Sequence, residues 1–287
     1  MVKPKILISS CLEFEKVRYN GQSIPSRIIR DLMPFAEFTK VCPEYEIGLG
    51  VPREPIRIVK KDGEYRLIQH NTNKDVTQDM LDFTNRYLQG MPEVDGFIFK
   101  SRSPTMGMKD IKVYSGMKGS PVIERCNGFF AGEVSEKYDG YPFEDEDRLR
   151  NPAIREHFLT KLFLFAGYRQ AFANKKMQEF NDRNKLLFEF YNPQIASDLS
   201  LDDKYFEKIK AIMKKPPHKE GVYKFFKKLT GETEQLNKYM DNKLSFETLK
   251  EVSKVMVNDR NLLQQSFFNP YPAGLIMEHE EVRDFWK

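Results

Sequence analysis

Over the first 150 residues, short apolar β-rich runs alternate with stretches of helical periodicity, and that alternation admits few folds. Lys5–Ser9 is short, rich in Ile and Leu and bounded by small residues, the pattern of a strand buried on both faces. Ile24–Phe38 carries Ile28, Ile29, Leu32 and Phe35 on one side and reads as a helix, with Phe38–Val41 as the next strand. Ile56–Lys60 and Tyr65–Gln69 flank Lys61–Asp62–Gly63–Glu64 and read as a hairpin. Thr77–Leu88 presents Met80, Leu81, Thr84 and Leu88 as a helical stripe, and Asp95–Phe99 is a further strand. This order predicts an α/β unit with a Rossmann-like, doubly wound, mostly parallel sheet.

From about Asn151 the texture becomes helical. Pro152–Ala171 repeats Ile154, Phe158, Leu162, Phe165 and Tyr168 at helical spacing. Amphipathic stretches follow at Lys175–Tyr191, Asp202–Lys214, Gly221–Leu229 and Phe246–Gln265, punctuated at Asn192–Pro193, Pro216–Pro217 and Gly231. The expected organisation is residues 1–150 as the α/β domain and 151–287 as an all-α domain. With 23 Phe and 13 Tyr in 287 residues, the chain can bury a substantial core, which excludes wholesale disorder.

No run approaches the roughly 20 apolar residues that span a bilayer. The start, Met1–Val2–Lys3–Pro4–Lys5, lacks the apolar region of a signal peptide. The expectation is a cytoplasmic protein without a membrane partner, and nothing in the sequence identifies a protein partner. Three cysteines make no disulfide framework, and His70, His157, His218 and His279 are too scattered for a histidine zinc site.

The net charge is +4, and the basic excess concentrates between Lys204 and Lys228, where nine lysines face only Glu207 and Glu220. Lys208, Lys214, Lys215, Lys224, Lys227 and Lys228 are candidate phosphate contacts of an RNA. A solvated helical face explains the same lysines equally well. The interleaved Tyr205, Phe206, Tyr223, Phe225 and Phe226 suit a helical core better than a base-stacking platform.

The chemistry concentrates just past the strands. Cys11 ends the run Ile6–Cys11, Cys42 opens Cys42–Pro43–Glu44, and Lys100–Gly107 reads Lys-Ser-Arg-Ser-Pro-Thr-Met-Gly. Thiols on separate loops converge only if the fold gathers them. Were they to converge, they would suit an iron–sulfur site, with Glu44 placed to carry protons. Taken singly, each cysteine is equally a small buried hydrophobe. Two other candidates are weaker: Lys118–Gly119–Ser120 lacks the glycine spacing of a phosphate loop, and Glu144–Asp147 reads as a solvated boundary more than as a cation site.

Five ordered motifs carry a resemblance: Ile-Ser-Ser-Cys (Ile8–Cys11), Val-Arg-Tyr-Asn-Gly (Val17–Gly21), Val-Cys-Pro-Glu (Val41–Glu44), Gly-Val-Pro-Arg-Glu-Pro (Gly50–Pro55) and Lys-Ser-Arg-Ser-Pro (Lys100–Pro104). Together they resemble the TudS-type thiouracil desulfidase family over about residues 4–145. The second half, through Gln265–Pro272 and Arg155–Phe158, resembles the helical domain fused to it in RudS-type tRNA 4-thiouridine desulfidases.

The resemblance implies a 4Fe–4S cluster on three cysteines, with one iron open to a substrate sulfur. It implies Cys11 and Cys42 as metal ligands, Glu44 as catalytic acid/base and Ser103 as a catalytic, substrate-positioning residue. The motif residues Tyr19, Arg53, Lys100 and Ser101 are candidate substrate contacts. The implied function is desulfidation of thiolated uracil, or of 4-thiouridine in tRNA, with a thiolated nucleobase or tRNA as partner. The third ligand position, however, is Met106, and a thioether offsets no iron charge. Three readings remain open: Cys126 replaces the ligand, a different centre uses Cys11, Cys42 and Glu44 or an outside ligand, or the cluster is lost and the fold persists. The last makes the chain a non-catalytic RNA- or nucleobase-binding descendant, or a plain scaffold. In the helical half, Asn184–Lys185 stands where relatives tend to carry His-Lys, and the usual Asn-x-x-x-His stretch is not recognisable around Glu220–Lys228.

Overall fold

The computed structural model describes residues 2–216. The described residues divide into two compact units, Lys5–Asp139 with Phe143–Leu149, and a second made of residues 2–4, Gly140–Pro142 and residues 150–216.

In the first unit, β1 (Lys5–Ser9) lies between β2 (Glu37–Val41) and β5 (Gly96–Phe99), with β8 (Phe143–Asp145) beyond β5. All three pairings are parallel. The α/β architecture with a parallel sheet is therefore as expected. Ile6, Leu7 and Ile8 are fully buried, as a central strand requires. The register pairs Ser9 with Val41, Ile8 with Ile98 and Phe99 with Asp145. The four strands thus end together, and the segments after them start from one sheet edge. Aromatic packing backs this sheet, with Phe97 stacked on Phe143 at 4.7 Å and Phe99 edge-on to Phe143 at 4.8 Å.

A second four-stranded sheet was not expected. Its order is β4 (Glu64–Gln69), β3 (Ile56–Lys61), β6 (Ile111–Tyr114), β7 (Val122–Cys126). The β3–β4 hairpin matches the sequence reading, and its turn is closed by Asp62 and Gly63 at φ of 52° and 85°. β6 and β7 escape notice because each is short, and their pairing carries an irregularity between Val113 and Tyr114.

The helix expected over Ile24–Phe38 is shorter. It runs only Arg27–Leu32 (α1) and passes into a 3₁₀ turn at Met33–Phe35. Pro34 has no N–H for the next helical bond, so the turn tightens there. After α2 (Pro43–Glu46), α3 spans Thr77–Gln89, close to expectation.

α4 (Phe129–Lys137) fixes the Lys100–Gly107 loop. Its first N–H groups lack helical partners and bond loop carbonyls instead: Phe129 to Pro104 (3.1 Å), Phe130 and Ala131 to Thr105 (3.0 Å each). Gly128 donates to Gly107 O at 2.8 Å. A Cβ at Gly128 would sit 2.6 Å from Thr105 C and O, atoms that cannot yield without moving the loop. Gly128→Ala is expected to cost about 1–3 kcal/mol by overpacking, read in a urea melt.

The second unit packs α5 (Pro152–Ala173), α6 (Met177–Tyr191), α7 (Pro193–Ser197) and α8 (Tyr205–Ile212). Leu164, Phe165, Phe180, Leu187, Phe188, Tyr205, Ile209 and Ile212 form its core. Tyr205 is buried and donates to Asn181 Oδ1, while Phe206 stacks on Tyr168 at 4.3 Å. These two aromatics are core. The expected helices Gly221–Leu229 and Phe246–Gln265 lie outside the described residues. Among the described residues no helix is long and apolar enough to cross a membrane.

Candidate functional site

The shared strand ends open a cavity of about 520 Å³ in the α/β unit. Cys11 and Cys42 line it, and so do Glu44, Arg53, Tyr19, Lys100, Ser101, Ser103 and Met106. The residues of this unit that the resemblance singled out, Cys126 apart, therefore meet in one place. Parallel strand ends gather such groups in an open α/β sheet.

Glu44 is held on both oxygens. Arg53 donates to Oε2 from Nε (2.9 Å) and Nη2 (2.7 Å), and Thr105 Oγ1 donates to Oε1 at 3.0 Å. Arg53 also donates from Nη1 to Val17 O and Gly50 O, and its Nη2 lies 3.8 Å from Cys42 Sγ. Ser103 Oγ accepts from Thr105 N and Met106 N and contacts Thr105 Oγ1 at 3.0 Å. It shapes the loop turn and begins a chain Ser103–Thr105–Glu44–Arg53. Thr105 escaped the sequence reading because its part appears only when the loop folds onto Glu44.

Lys100 and Ser101 are also engaged. Lys100 Nζ donates to Glu146 Oε1 and, at 2.9 Å, to Ser101 Oγ. Ser101 N donates to Glu146 Oε2 at 2.7 Å, and Ser101 Oγ lies 2.8 Å from Glu146 Oε1. Glu144–Asp147 is thus not a solvated boundary segment. Asp145 and Glu146 are buried, because β8 carries them to the same sheet edge. Burial pushes the Asp145 carboxyl upward, against the N–H groups of Arg148 and Asp147.

Burial raises the Cys11 thiol to about 12, and neighbouring Cys42 adds to the effect while Lys100 opposes it. Cys42 is raised too, by burial and then by Glu44. Cys126 sits in β7 opposite Ile111, half-buried, and does not line the cavity. Burial raises Cys126 as well, and at pH 8 iodoacetamide is expected to label Cys11 last of the three, since only thiolates react and Cys11 is pushed up to about 12; peptide mass spectrometry gives the order.

The cavity thus offers two thiols and one thioether. A cluster held by three thiolates does not fit this donor set: the position that would supply the third is Met106, and Cys126 is elsewhere. Among the described residues no group of three His, Cys, Asp or Glu side chains is arranged to hold a metal ion.

In the helical unit, Lys208 Nζ is bound to Asp202 Oδ2 (2.8 Å) and Ser200 Oγ (3.0 Å). Lys214 and Lys215 are exposed, and Lys224, Lys227 and Lys228 lie outside the described residues.

The 2-thiouracil desulfurase family matches residues 6–146. Over 111 residues the chain is 35% identical to the uncharacterized protein YbbK of Bacillus subtilis (strain 168), covering 36% of this chain and 72% of YbbK. The chain belongs to the 2-thiouracil desulfurase family. A solved structure, the [4Fe-4S]-dependent thiouracil desulfidase TudS, is similar at 28% identity over 52% of this chain and 94% of its own, with a TM-score of 0.39. The match to the 2-thiouracil desulfurase family ends at Glu146, one residue past β8, so it spans the strands that build the cavity.

Proposed function

We propose that this chain is a desulfidase-like protein that takes a thiolated uracil, carried as 4-thiouridine in tRNA, into the sheet-edge cavity. The observation that carries the reading is the meeting of Cys11, Cys42, Glu44 and Ser103 around one cavity in a member of this family. In the net conversion, water replaces sulfur at the thiocarbonyl carbon and the sulfur leaves as hydrogen sulfide. Glu44 is the carboxylate positioned to hold the proton, through the Oε1 that Thr105 now occupies. Arg53 fixes Glu44, while the Glu146–Lys100–Ser101 network fixes the start of the Lys100–Gly107 loop. Lys214 and Lys215 are the exposed cations that would meet tRNA phosphates, with Lys224, Lys227 and Lys228 as further candidates.

A second reading, a binding protein that keeps the pocket without turnover, is favoured by Met106, which is buried where a thiolate would be needed. Both are tested by incubating the protein with 4-thiouridine-containing tRNA while following thiocarbonyl absorbance and released sulfide. Loss of absorbance with matching sulfide supports the desulfidase. Saturable binding without loss supports the binding protein, and neither binding nor loss refutes both. If the lysines carry tRNA affinity, log K falls linearly with log salt by about one unit of slope per phosphate contact. The variant Lys214→Ala/Lys215→Ala should then lower that slope by about two.

A further inference from the structure

We propose that Cys11, Cys42 and Met106 form a site for a soft monovalent cation, Cu(I), which goes beyond the desulfidase reading and stands without it. The backbone brings the donors to one place. Ser9 pairs with Val41, and Ser10 N donates to Val41 O at 2.9 Å, so the Cys11 and Cys42 segments leave adjacent strand ends side by side. The Met106 segment is drawn to the same point by Thr105, whose hydroxyl donates to Glu44, two residues from Cys42. All three residues line the cavity, and Cys11 and Met106 are nearly buried.

The donor chemistry selects the ion. Thiolate and thioether sulfur are soft donors, and a d¹⁰ monovalent ion accepts a neutral thioether that a charge-hungry iron cluster or Zn²⁺ accepts poorly. Harder donors at the cavity are already committed, since Arg53 and Thr105 hold both oxygens of Glu44. Among the described residues no alternative trio of His, Cys, Asp and Glu exists, so a three-coordinate site here must use Met106. Binding would release the two thiol protons and form two Cu–thiolate bonds and one Cu–thioether bond. The product carries one net negative charge, beside the Arg53 guanidinium at 3.8 Å from Cys42 Sγ. No oxidant or reductant is required when copper enters as Cu(I).

The test titrates the reduced full-length protein with Cu(I) under anaerobic conditions against bicinchoninate, a coloured Cu(I) chelator, with no nucleotide present. The protein is expected to withhold one equivalent. Cys11→Ser and Cys42→Ser should each abolish this, and Cys126→Ser should leave it unchanged. Met106→Leu, which keeps volume, should weaken it about 10- to 100-fold, the range known for removing even a supporting contact of a metal site. With methyl-¹³C methionine labelling and Ag(I) as a redox-silent probe, one methyl resonance should move, and that resonance should be missing in Met106→Leu. Failure to withhold copper, retention unaffected by Met106→Leu, loss in Cys126→Ser or equal affinity for Zn(II) would each overturn the proposal. Turnover of thiolated tRNA is measured separately, so either reading can fail alone.

Discussion

Met106→Cys is expected to bind a cluster that the unaltered protein takes up poorly. After anaerobic reconstitution with ferrous iron and sulfide, the variant should be brown, with about four irons per chain. The unaltered protein and Met106→Leu should remain near colourless. The reason is charge: a third thiolate supplies what the thioether lacks, in a loop that α4 already holds against the cavity. Before reconstitution the variant should be less stable by about 1–3 kcal/mol, because a shorter side chain leaves a void at a buried position. Thiouridine loss by the reconstituted variant would show that Glu44 and Ser103 remain competent. A colourless variant would mean that position 106 does not reach the cysteines, and an unaltered protein that takes up a full cluster would refute the mismatch outright.

The second large effect is on stability. Arg53→Met should cost about 3–5 kcal/mol, since it strands a buried carboxylate. The Arg53 side chain is 3% exposed and that of Glu44 13%. Loss of the guanidinium also removes its hydrogen bonds to Val17 O and Gly50 O. Glu44→Gln should cost less, because an amide oxygen still accepts from Arg53 or Thr105. The double variant Glu44→Gln/Arg53→Met should recover part of the loss, since no buried charge is then left alone. Urea melts of all four proteins give the cycle. A loss below about 1 kcal/mol for Arg53→Met would place the pair in the class of solvated ion pairs.

Much of the α/β unit was legible because its signals are local. Lys5–Ser9 sets Ile6, Leu7 and Ile8 in a row at positions that the sheet buries, and Asp62–Gly63 marks its turn by backbone freedom alone. β6 and β7 were not legible, because short strands at a sheet margin gain their stability from neighbours more than from their own residues. The acidic run Glu144–Asp147 misled for the same reason. Four adjacent carboxylates suggest solvent, yet Glu146 is buried and bonded to the Ser101 N–H and Lys100, partners 45 and 46 residues away.

The site divides in the same way. The inventory follows from residue identity alone: Cys11, Cys42, Glu44, Ser103, the thioether at Met106 and the shortage of a third thiolate. That these residues share one cavity, that Cys126 stands apart, and that Thr105 and Arg53 hold Glu44 emerges from the folded chain. Chemical identity is local to a residue, whereas convergence is a property of strand register: β1, β2, β5 and β8 end together, and the loops that leave them meet.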